Sequence, residues 1–166
     1  MPTRFMIDIE TLDTAVILEI GVVRFDPAKP EASWARYQYF PILSQRGRTI
    51  GKQSSDARDA QASAKRTHVL ARACAEIGRL WCDAGDDLEI WAKPPSFDLE
   101  ILWHAAEAEN IILPSRRTWR DVRTLLACVP PGPEPANALP HSALQYALHQ
   151  ARTVSAILRR LHGQAE

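Results

Sequence analysis

The sequence predicts an α/β fold with a mixed central sheet flanked by helices. Runs rich in β-branched residues open the chain, apolar residues recur at helical spacing in its middle and at its end, and a short strand separates two helical stretches. With 166 residues, 46% of them hydrophobic, the chain can form one sizeable core, so a single domain over residues 1–166 is expected.

Arg4 to Glu10 reads as an apolar strand ending in acids, and Val16 to Phe25 as its partner after a turn near Leu12 to Thr14. Asp26, Pro27 and Pro30 break that pattern, and Ser33 to Phe40 alternates aromatic with polar residues as a half-buried third strand does. Between His68 and Cys82 the apolar positions, among them Val69, Ala73, Ile77, Leu80 and Trp81, predict a long amphipathic helix. Leu88 to Ala92 is a short strand. Pro94 and Pro95 stand where the next helix begins, with Ser96 as its candidate cap and an end near Asn110. Trp119 to Leu126 reads as a short strand running into a helix, and PPGPEP at 130–135 must be loop. Good helix formers fill Leu139 to Leu161, with a bend allowed within them.

Composition narrows the class. No apolar run approaches the roughly 20 residues of a membrane span, and Asp8 and Glu10 interrupt the start where a signal peptide needs its apolar stretch, so a soluble cytoplasmic protein is expected. Cys74, Cys82 and Cys128 show no CxxC spacing and read as buried, reduced thiols. Twenty basic residues balance twenty acidic ones, so no global positive field marks the chain as a nucleic-acid binder. Arg46, Arg48, Lys52, Arg58, Lys65, Arg66 and Arg72 nevertheless make the middle locally basic, either as a phosphate-contacting face or as ordinary solvated surface.

The chemistry concentrates in a few acids. In a strand, residues two apart share a face, so Asp8 and Glu10 present paired carboxylates. Either the strand has reached solvent there, or a hard cation such as magnesium or manganese lies between them. A third acid, Asp98, opens the helix after the Leu88 to Ala92 strand. It either answers the helix dipole or joins the pair, since neighbouring strand ends bring such positions together.

The runs DIET at 8, ILEIGVVRFDP at 17, WAKPPSFDLEIL at 91, RDVRTL at 120 and HSALQYALHQAR at 141 resemble the DEDDh exonuclease superfamily. The likeness is nearest to its RNase-T-like and exonuclease-VIII-like phage and bacterial members, and runs from about Phe5 to Arg152. It implies an RNase-H-like fold, two divalent metal ions (Mg2+ or Mn2+), and release of nucleoside monophosphates from the 3′ end of single-stranded RNA or DNA. By matching position it implies Asp8, Glu10 and Asp98 as metal ligands and His141 as general base. Many relatives are dimers, which leaves a homodimer open.

One motif departs from the family. The superfamily places an aspartate five residues after the histidine, where this chain has Tyr146, with Gln145 beside it. The tyrosine-bearing subclass does not fit either, because its aspartate position is Gln150; beyond Asp121 the only acids are Glu134 and Glu166. A neutral phenol is a poor magnesium ligand, so weakened metal binding is expected. The alternative is a catalytically inactive relative that binds nucleic-acid ends or nucleotides in the same cleft, and a pure interaction protein is a third reading. Phe97, Trp103 and Tyr146 are candidates for stacking on terminal bases, although Phe97 and Trp103 at helical positions are more often core, and Lys93 either faces a phosphate or is merely exposed.

Overall fold

The structure, a computed structural model, describes residues 2–12, 16–41, 69–130 and 142–163. Its elements are strand β1 (Thr3–Leu12), β2 (Val16–Phe25), β3 (Ala35–Tyr39), helix α1 (Leu70–Cys82), β4 (Leu88–Ala92), α2 (Pro95–Ala108), β5 (Trp119–Asp121), α3 (Val122–Ala127) and α4 (Ala143–Leu161). The strands form one sheet in the order β3-β2-β1-β4-β5. The β1–β2 and β2–β3 pairs are antiparallel, and the β1–β4 and β4–β5 pairs are parallel. The expected mixed α/β sheet is therefore present.

Alternation along β1 divides the core in two. Phe5, Ile7 and Ile9 face one side, where they join Ala73, Cys74, Ile77 and Trp81 of α1 and Leu99 and Leu102 of α2. Met6 faces the other side, where it joins Val23 and Phe25 of β2 and Ala147, Ala151 and Val154 of α4. Covered on both faces, β2 is buried at nine of its ten positions, which explains its nearly unbroken apolar sequence. Helix α1 buries Leu70, Ala73, Cys74, Ile77, Gly78 and Trp81, the one-sided stripe that its periodicity predicts.

Helix α4 lies unusually close to the sheet because both surfaces are pared back. Ala143, Ala147 and Ala151 recur every four residues and are fully buried. Opposite them stands Gly21, where a Cβ would come within 2.3 Å of the backbone nitrogen of Leu144. Glu19 secures the same junction. Only 3% exposed, its Oε1 accepts hydrogen bonds from Gln38 Nε2 (2.8 Å), Ser142 Oγ (3.1 Å) and the backbone N–H of Leu144 (3.1 Å), so it caps the first turn of α4. From the C-terminal side, Arg152 grips Glu31 with two bonds of 2.7 Å.

Several expectations need correction. Pro94, not Ser96, is the cap position of α2, because Pro95 already occupies the first helical position and places Ser96 inside the first turn. Residues 143–161 form one continuous helix. Only Cys74 is buried; Cys82, at the last residue of α1, and Cys128, just past α3, are exposed where those helices end, and all three are free. Arg72 is an exposed residue of α1 paired with Glu76 at 3.0 Å. The other six basic residues of that group, and the loop at 131–135, lie outside the described residues.

Candidate active site

Three acids from two elements meet where β1 outruns β4. The parallel pairing of β1 with β4 ends at Met6 and Trp91, so the last residues of β1 extend past the end of β4. Asp8 and Glu10, opposite Gly21 and Glu19 of β2, share the face that looks toward α4. Asp98 arrives from the first turn of α2, and its Oδ1 accepts the backbone N–H of Ile9 at 2.9 Å. A parallel neighbour strand would satisfy such a group in mid-sheet; here a carboxylate does so and is thereby fixed beside the pair.

These acids line a cleft of about 410 Å³ together with Ile9, Lys93, Phe97, Tyr146, His149 and Gln150. Asp98 is only 3% exposed, and Phe97 at 38% leaves a ring edge open to solvent. Gln150 donates from Nε2 to Asp8 Oδ1 at 3.0 Å. Lys93 makes no ion pair with a carboxylate among the described residues, so it lines the cleft without neutralising any one acid.

The electrostatics are those of negative charge held out of water. Burial, reinforced by the charges of Asp98 and Glu10, pushes Asp8 up to about 8; the Gln150 hydrogen bond opposes this shift. Burial likewise pushes Asp98 up to about 7 against the lowering effect of the Ile9 N–H. Three carboxylate side chains are a hard-oxygen donor set, the type that suits magnesium or manganese. Among the described residues, no three His, Cys, Asp or Glu side chains already converge around an ion position.

Asp8, Glu10, Asp98 and Tyr146 thus come together as the sequence suggested, and Phe97 joins them. His141 lies outside the described residues. Trp103 does not reach the cleft. It packs edge-on against Trp119 at 5.9 Å, and the Arg116 guanidinium lies over both rings at 5.2 and 5.3 Å, so this tryptophan packs, partly buried, against the core, the other reading its helical position allowed. Sequence reasoning missed His149 and Gln150, although Gln150 follows Tyr146 by one helical turn and the i, i+4 relation places both on one face.

No helix is long and apolar enough to cross a membrane among the described residues. Comparison with curated proteins gives no match. A solved structure, described as the nuclease domain of 3′hExo, a DEDDh family member, bound to rAMP, matches with a TM-score of 0.68. At 14% identity, the match covers 99% of this chain and 95% of that one, and establishes a shared fold. The family described as the 3′-5′ exoribonuclease Rv2179c-like domain matches residues 3–158. By sequence, the chain belongs to the family of the 3′-5′ exoribonuclease Rv2179c-like domain.

Proposed function

We propose that the cleft hydrolyses the terminal phosphodiester bond of single-stranded RNA or DNA from the 3′ end, with a divalent cation, Mg2+ or Mn2+, held by Asp8, Glu10 and Asp98. The observation that carries this reading is the packing of three carboxylates from β1 and α2 into one partly buried cleft, where burial and repulsion penalise their charge. A bound cation would relieve that penalty and supply Lewis-acid stabilisation to the scissile phosphate.

The residues of the chain have separable parts in this reading. Asp98 ties the start of α2 to β1 and so fixes the spacing of the acids. His141, one residue ahead of the Ser142 that Glu19 holds, would take the proton of the attacking water, since an imidazole with an ordinary pKa near ~6.5 exchanges protons at neutral pH. Water oxygen bonds to phosphorus, the bond from phosphorus to the 3′ oxygen of the penultimate nucleotide breaks, and a nucleoside 5′-monophosphate leaves. Phe97 and Tyr146 border the cleft where a terminal base could stack.

Digestion of 5′-labelled single-stranded RNA and DNA with Mg2+ or Mn2+ tests the proposal. A one-nucleotide ladder that disappears in Asp8→Asn supports it. A second reading, an inactive module that binds nucleic-acid ends, is favoured by the neutral groups Tyr146 and Gln150 on the α4 wall. It gains if the natural protein leaves both polymers intact while Tyr146→Asp cuts them, and it fails if the natural protein cuts.

A further inference from the structure

Helix α4 brings no carboxylate to the cleft, yet it brings one side chain with unused bonding capacity in contact with the acids. Gln150 is 6% exposed, its Nε2 donates to Asp8 Oδ1, and its Oε1 is buried with no hydrogen-bond partner among the described residues. A buried carbonyl oxygen left unpaired is costly, and it calls for a group that would use it. The three carboxylates do not close around an ion position by themselves.

We propose that Gln150 is the oxygen donor of α4 to the cation site. This rests on the reading of Asp8, Glu10 and Asp98 as cation ligands. A carboxamide suits the position because its two ends are nearly the same shape. Without a cation its N–H2 faces Asp8 and quiets the carboxylate. With a cation, a half-turn of the amide presents Oε1 instead. The contact distance is compatible: two adjacent ligands of octahedral magnesium, with bonds of about 2.1 Å, lie about 3 Å apart, and the Gln150 amide stands 3.0 Å from Asp8 Oδ1.

Calorimetric titration of MnCl2 into the metal-free full chain near pH 7.5 tests this directly, with no substrate present. Saturable Mn2+ binding is expected in the natural protein. Gln150→Leu should weaken that binding about tenfold, and Gln150→Glu should tighten it about tenfold. If Gln150 served only to hold Asp8, the glutamate would repel that carboxylate and weaken binding, so the two variants separate a ligand from a prop. Circular dichroism checks each fold, and Gln150→Glu alone decides if the leucine variant does not fold. Unchanged affinity in Gln150→Leu, or weaker affinity in Gln150→Glu, would overturn the inference while leaving the cation reading intact. No Mn2+ binding by the natural protein, or undiminished binding in Asp8→Asn, would overturn both.

Discussion

The two walls of the acidic cleft are built on different principles. The β1 and α2 wall carries charge: Asp8, Glu10 and Asp98, with Asp98 bonded to the Ile9 N–H. The α4 wall carries shape: an alanine stripe against Gly21, an anchored first turn, and the neutral groups Tyr146 and Gln150 facing the acids. The docking of α4 needs no carboxylate at 146 or 150, since its seam is apolar and its anchors are Glu19 and Glu31. A helix can therefore keep its place in a nuclease fold after the chemistry at its inner face has changed.

The contrast predicts unequal responses to substitution. On the charged wall, Asp98→Asn should reduce nucleolytic activity by about 100-fold or more, while thermal unfolding of the metal-free protein changes little. Equal losses of activity and stability would show that Asp98 acts mainly by joining α2 to β1. On the packed wall, Gly21→Ala should cost about 2–3 kcal/mol in urea unfolding, because the new methyl meets helix backbone that cannot move aside. A neutral result would mean that α4 can shift outward.

Tyr146→Asp tests whether the walls can be made alike, and should raise activity about tenfold at limiting Mn2+, measured by initial rates on labelled oligonucleotides. The pH response needs no substitution. Asp8 and Asp98 have raised folded-state values, about 8 and about 7. Between about pH 4, where an unfolded chain ionises its carboxyls, and about pH 8, the native protein holds more protons than the unfolded one. Metal-free stability should therefore fall as pH rises across that window, and saturating Mn2+ should reverse the fall at its upper end. Melting curves at pH 5 and pH 8 with and without Mn2+ read both effects. Last, Arg152→Ala should cost about 1 kcal/mol, since its paired bond to Glu31 is partly open to water and screened.

Much of this architecture was legible locally. Leu88 to Ala92 and Val16 to Phe25 match their strands end to end, because mainly apolar runs bounded by turn residues permit little else. The shared face of Asp8 and Glu10 follows from strand alternation alone. What escaped depended on contacts across the chain. Nothing local marks Asp98 as partner of the Ile9 N–H, 89 positions away. Trp103 could as well have lined a cleft until Arg116 and Trp119 were seen to enclose it. Cys82 and Cys128 were read as buried from residue type, whereas exposure was decided by where two helices stop. Glu19 was the missed clue in plain view: an acid inside VILEIGVV, a strand otherwise suited to full burial, marks a partner to be satisfied, and that partner is the start of α4.

The junction of Glu19 with Ser142 spans 123 residues, which sets an order of events during synthesis. The β1–β2–β3 meander can pair as soon as it leaves the ribosome, and β4 can join once α1 has formed, but the cleft lacks a wall until α4 emerges. Until then Met6, Val23 and Phe25 present a bare apolar sheet face, the surface on which a holding chaperone or an aggregate would first settle. Asp8 meanwhile stays open to water on the side that α4 later covers. The docking of one helix thus covers the sticky face and assembles the charged cleft in a single step, so the growing chain has no finished nuclease site before it is protected.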